Sequence, residues 1–127
     1  MKTMIQTEKA PQAIGPYSQA IQSGNLLFIS GQLGLDFTGN LIAEDVAAQT
    51  RQVLENIKLI IEAAGFKMDD IVKTTIYLND LNDFTIVNNI YSEYFQPPYP
   101  ARACIQVAKL PKDGKVEIEA IASVTKE

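Results

Sequence analysis

Residues 99–122 read YPARACIQVAKLPKDGKVEIEAIA. Two alternating runs, about 101 to 108 and 115 to 124, flank Pro111-Lys112-Asp113-Gly114, a combination of turn-forming residues, so the stretch reads as two β-strands folded into a buried hairpin. Side chains alternate across a strand. Ala101, Ala103, Ile105 and Val107 therefore share one face of the first strand, and Arg102, Cys104 and Gln106 the other. In the second strand Val116, Ile118, Ala120, Ala122 and Val124 oppose Glu117, Glu119, Ile121 and Ser123. If both aliphatic rows pack beneath helices, Arg102, Cys104 and Glu117 share the helix-free face. That face is too apolar at Cys104 and Ile121 for full solvation, which predicts that another copy of the chain covers it.

Upstream, apolar stretches at roughly 18 to 22 and 26 to 30 flank Ser23-Gly24-Asn25 and predict a β-hairpin. Phe37-Thr38-Gly39-Asn40 marks a second turn. From about Ala43 to Ala64, Val46, Ala47, Val53, Leu54, Ile57, Ile60, Ile61 and Ala64 recur at steps of three and four, the stripe of a long amphipathic helix. Glu44 and Asp45 suit its positive N-terminal end and Gly65 its C-terminal exit. Ile71 to Leu78, rich in β-branched residues, predicts a strand. A second helix over about Asp83 to Phe95 places Phe84, Val87, Tyr91 and Tyr94 on one face, and Pro97-Pro98 stops it. The order β-β-α-β-α-β-β has no internal repeat or linker. It predicts a single domain over residues 1–127, an α+β sandwich of one sheet with two helices on one face.

Composition narrows the function. The 127 residues carry a net charge of −4, and the eleven basic residues are scattered, which disfavours a phosphate-tracking nucleic-acid surface. No apolar run is long enough for a membrane span, and the N-terminal residues lack a signal-peptide core, so a cytoplasmic protein is expected. One cysteine excludes an internal disulfide and agrees with a reducing compartment. The complete lack of histidine removes Ser-His and Cys-His nucleophile pairs, the usual zinc sites and the commonest general base. Chemistry here must run on carboxylates, arginine, lysine, tyrosine, hydroxyls, backbone groups and water.

Arg102 is one of two arginines beside nine lysines, and its planar fork matches a carboxylate bidentately as lysine cannot. The partner is either a ligand carboxylate or a glutamate, Glu117 or Glu119, of a neighbouring subunit. Glu117 is correspondingly either a base or water-holding group, or Arg102's structural partner. Cys104, without histidine, reads as a small buried hydrophobe rather than a nucleophile. Ile14-Gly15-Pro16-Tyr17-Ser18 reads as a rigid turn. Ile29-Ser30-Gly31-Gln32 reads as a strand end where backbone N–H groups are open to a ligand. Asn88, poorly suited to a helix interior, points either into a site or into solvent.

Together AIGPYSQA, ISGQ, DLNDF, VNNIY and PARACIQVAKLPKDGKVEIEAIA resemble the RidA/YjgF family of reactive intermediate deaminases over essentially the whole chain. The resemblance implies a chorismate-mutase-like fold assembled as a homotrimer, with sites in the clefts between subunits. It implies hydrolysis of 2-imino acids, such as 2-iminopropanoate and 2-iminobutanoate, to 2-keto acids and ammonia, with no metal or organic cofactor. Carried onto this chain, the carboxylate-holding arginine matches Arg102 and the water-holding glutamate Glu117. Tyr17 and Ser30 match the pocket's tyrosine and serine, and Gly31, Asn88 and Cys104 match further substrate-binding positions. The family's usual ARSCVEVARLP appears here as ARACIQVAKLP, and the segment YFQPPYPARA is shorter than in many members, which bears on the rim of the cleft and the preferred side chain. Other readings are a 2-keto-acid-sensing regulator using the same cleft without turnover, an endoribonuclease, and a chaperone-like protein.

Overall fold

A computed structural model describes residues 1–124. Its strands are β1 (Lys2–Ile5), β2 (Ala20–Ser23), β3 (Leu26–Leu33), β4 (Ile71–Leu78), β5 (Ala101–Gln106) and β6 (Val116–Ser123), and its α-helices α1 (Val46–Ala63) and α2 (Phe84–Tyr91). They form one mixed sheet in the order β1-β2-β3-β6-β4-β5, antiparallel throughout except for the parallel pair β4 and β5. Both helices lie on one face. The strand expected at 71 to 78 has those bounds, whereas β1, too polar to show as a strand in KTMI, adds an element to the expected order.

Asp45 starts α1 by accepting the Ala48 N–H at 2.9 Å, and Gly65, at φ 81°, leaves it in the left-handed conformation that glycine adopts without strain. The stripe Val46, Val53, Leu54, Ile57, Ile60 and Ile61 is buried against Ile76, Val116, Ile118, Ala120 and Ala122 of the sheet. Asn56, fully buried in this layer, donates to the Leu33 and Leu35 carbonyls at 3.2 and 2.9 Å, so α1 fixes the end of β3.

Two expectations are overturned. The segments at 101 and 115 are not a hairpin: β6 inserts between β3 and β4, while β5 lies at the sheet edge, parallel to β4. The β4-α2-β5 crossover requires that parallel pairing. The turn residues Pro111–Asp113 instead carry the chain back across β4, with Lys112 and Asp113 both at φ 57°. The faces of β5 are also reversed. In register, Arg102 lies beside Thr74, Cys104 beside Ile76 and Gln106 beside Leu78, the three β4 residues buried toward the helices. Arg102, Cys104 and Gln106 therefore face the helical layer, and Ala101, Ala103 and Ile105 do not.

On the helix-free face, Met4, Ile21, Phe28 and Ile121 occupy one continuous register across four strands. Met4 and Phe28 are 58 % and 43 % exposed in the single chain.

Candidate functional site

The expected residues fall into two clusters on opposite faces of the sheet. On the helix-free face Tyr17, Ser30, Gly31 and Glu117 line one cavity of about 460 Å³. Its wall is set by a register break: β3 pairs with β6 at Ile29–Ala120 and resumes at Gln32–Ile118, so Ser30 and Gly31 both oppose Glu119. Ser30 therefore sits in a bulge inside β3, not at a strand end.

The bulge brings the Gly31 backbone against the Glu117 carboxylate so closely that a Cβ at Gly31 would meet Glu117 Oε2 and lie 2.9 Å from its Cδ. A glycine is needed there because of contact, not φ. Glu117 is half-buried, and burial first, then the charge of Glu119, pushes its carboxyl above the ordinary range. Glu119 in turn accepts the Tyr77 hydroxyl at 2.5 Å, which raises the Tyr77 pKa.

Ser30 is committed elsewhere. Its hydroxyl donates to the Ser18 carbonyl at 2.6 Å and its N–H to the Gln19 carbonyl at 2.9 Å. The Gln19 side chain, 2 % exposed, accepts the Thr7 N–H and donates to the Pro11 carbonyl, each at 2.8 Å. These bonds fasten the 7–19 segment to the sheet and carry Tyr17 to the cavity mouth, where its ring is 53 % exposed. Lys112 closes another side by donating to the Gly39 carbonyl at 2.6 Å.

On the helical face, Arg102 lines a second cavity of about 510 Å³ with Asn88, Tyr91 and Tyr99. Its Nη1 donates to Asn88 Oδ1 at 2.7 Å, and its guanidinium lies 5.4 Å from the Phe84 ring centre and 5.0 Å from that of Tyr91. Asn88 thus holds the arginine, which explains an asparagine inside α2. The aromatic partners were legible only as core positions of a helix face, although residues 84, 88 and 91 are spaced to share one side. The remaining guanidinium N–H groups suit an anion of carboxylate geometry.

Cys104, two residues further along the same face, packs at the edge of the core. Burial raises its thiol pKa, with Arg102 pulling the other way. A protonated, half-buried thiol is a poor nucleophile at neutral pH. Gln106 accepts the Leu81 N–H at 2.9 Å and so shapes the turn before α2. Within one chain, then, Arg102, Asn88 and Cys104 stand together, as do Tyr17, Ser30, Gly31 and Glu117, but the sheet separates the two sets. The expected sharing of one face by Arg102 and Glu117 is overturned.

Among the described residues no three His, Cys, Asp or Glu side chains cluster as a metal site, and no helix is long and apolar enough to cross a membrane.

The profile of the family described as Endoribonuclease L-PSP matches residues 7–124. A RutC family protein of Pyrococcus horikoshii is 56 % identical over 123 residues, 96 % of this chain and 98 % of the relative. A protein of Salmonella typhimurium named 2-iminobutanoate/2-iminopropanoate deaminase is 54 % identical over 125 residues, again 96 % and 98 %. The crystal structure of Escherichia coli TdcF with bound serine superimposes with a TM-score of 0.92 at 48 % identity, covering 97 % of this chain and 99 % of that one.

Proposed function

The chain belongs to the endoribonuclease L-PSP family, and from that premise we propose that it hydrolyses 2-imino acids to 2-keto acids and ammonia. The observation that carries this reading is the Arg102 cluster, a preformed fork with free donors beside a cavity. TdcF holds serine, which bears the carboxylate such a fork would take.

In the proposed reaction Arg102 binds the carboxylate of 2-iminopropanoate or 2-iminobutanoate. Glu117 accepts a proton from water as its oxygen bonds to the imine carbon and the C=N π electrons move onto nitrogen. The carbinolamine then collapses: Glu117 gives its proton to the amine nitrogen, takes the hydroxyl proton back as C=O forms and the C–N bond breaks, and finally passes that proton to the departing ammonia, which leaves as ammonium and restores the carboxylate. A carboxyl with raised proton affinity suits these transfers, because an acid-base group works best with a pKa near the operating pH. Tyr17 and the Gly31 backbone edge border the reacting centre, with Asn88 and Cys104 on the carboxylate side. The iminium is already electrophilic, so positioning and one acid-base group supply the several kcal/mol required.

Arg102 and Glu117 of one chain cannot reach a common substrate across the sheet, so the complete site joins the Arg102 cluster of one copy to the Glu117 cavity of its neighbour. The uncovered row Met4, Ile21, Phe28 and Ile121 supports burial of the helix-free face between copies. This fits a chorismate-mutase-like homotrimer, one domain per subunit and cytoplasmic, with no metal or organic cofactor.

The test measures keto-acid and ammonia release from 2-iminopropanoate made in situ by an amino-acid oxidase, with semicarbazide trapping residual imine. Acceleration that disappears in Arg102→Ala and Glu117→Gln supports the reading. Refolding those two inactive variants together should restore about a quarter of wild-type activity if sites form between randomly mixed copies, and none if each site lies within one chain. Tight keto-acid binding without turnover would instead favour the regulator. The family description raises RNA cleavage as a second reading, which the net charge of −4 and lack of histidine oppose; RNA binding that weakens steeply with salt would favour it.

A further inference from the structure

We propose that Tyr91, locked by Thr74, is the positioning residue of Arg102; the inference deepens the deaminase reading and rests on it. Arg102 is exposed on an edge strand, and a long side chain there ordinarily explores many rotamers. Here one edge is tied to Asn88 and the guanidinium lies over two rings of α2. Phe84 is only half-buried, whereas Tyr91 is 5 % exposed and fixed from further sides. Its hydroxyl is 2.7 Å from Thr74 Oγ1, and its ring centre is 4.4 Å from that of Phe95.

Thr74 is also the β4 residue directly in register with Arg102. The strand that aligns the arginine backbone therefore also aligns the ring beneath its side chain. Packing alone does not require this hydroxyl pair, since valine and phenylalanine fill the same shapes and leave no orphaned polar atom. What the pair adds is direction: it sets the ring, and the ring sets the plane of the fork offered to the carboxylate. Because the carboxylate is held equally before and during reaction, loss of this alignment weakens binding rather than turnover.

The experiment compares wild type with Thr74→Val, Tyr91→Phe, the double variant and Thr74→Ser. Three quantities are read: KM and kcat for 2-iminopropanoate, calorimetric Kd for 2-oxobutanoate, and the Arg102 Nε–H NMR signal, assigned by its loss in Arg102→Lys. KM and Kd should rise about three- to tenfold in the valine, phenylalanine and double variants, with kcat within about twofold. The Arg102 signal should move toward that of a free, mobile arginine, and Thr74→Ser should restore all three. The double variant guards against misfolding, because it leaves no unpaired hydroxyl. Unchanged KM, Kd and Arg102 signal in folded variants would overturn the proposal, as would a fall in melting temperature alone. A wild type that turns over no imine overturns the deaminase reading, while the Arg102 signal still decides this one.

Discussion

Replacing Gly31 by alanine puts the proposed base to a sharp test. The new methyl would overlap Glu117 Oε2 and lie 2.9 Å from Cδ, where ordinary contact begins at 3.4 Å, so the carboxyl must move by at least about 0.5 Å. Only a side-chain end has to yield, and solvent lies beyond it. Stability should accordingly change by less than about 1 kcal/mol, helped by alanine's smaller entropy loss in a strand. Activity should not be spared, because displacing a reacting group by about 1 Å costs on the order of 100-fold. Gly34→Ala is the matched control. There the methyl would meet the Gln49 backbone at 2.7 Å, and helix α1 cannot yield as a side chain does. It should lose about 1–3 kcal/mol with little direct effect on chemistry in the folded fraction. The assay pairs thermal melting with imine turnover per folded protein. Wild-type turnover in a stable Gly31→Ala protein would refute the placement of the Glu117 carboxyl as the reacting base.

Four further outcomes are expected. The raised Glu117 pKa predicts that activity falls on the acid side at a pH above the ordinary 4.5, and that Glu119→Gln shifts this limb downward; a pH-rate profile of the two proteins checks it. The same shift has a stability consequence: a folded pKa above the unfolded one means that the ionised carboxylate burdens the fold above both values, so Glu117→Gln should raise the melting temperature at neutral pH, with the gain vanishing below the unfolded pKa. Phe28→Lys places a charge in the apolar row of the helix-free face and should shift sedimentation toward monomer with loss of activity. Asn56→Ala strands the Leu33 and Leu35 carbonyls and removes buried contacts, lowering stability by about 1–3 kcal/mol in a denaturant titration.

Legibility followed the range of the signal. The α1 stripe and the β4 run are written in local periodicity, and both formed near their expected bounds. Partner choice is not local. Nothing within residues 99–122 says that β6 leaves β5 and inserts beside β3, because the deciding contacts lie far away in sequence. The β5 faces were misread because alanines and an isoleucine mimic a core row, while the arginine's true neighbours are aromatic rings supplied by α2. The family resemblance held over residues 7–124. The candidate site residues were proposed as a set by that resemblance, and their division between opposite faces emerges only once the sheet is assembled.

The sheet order also bears on how the protein is made. A ribosome releases β6 after every other strand, yet β6 is the ladder joining β3 to β4, and without it β1–β3 and β4–β5 share no strand pairing. Closure must wait for sequence-distant contacts, which folds slowly and leaves two unpaired edges exposed meanwhile. Glu117 rides on that closing strand. The nascent chain thus displays the arginine proposed to hold the carboxylate before the strand bearing the proposed base is in place, and on the proposed arrangement a closed sheet is what each copy must bring to its neighbour before a site exists.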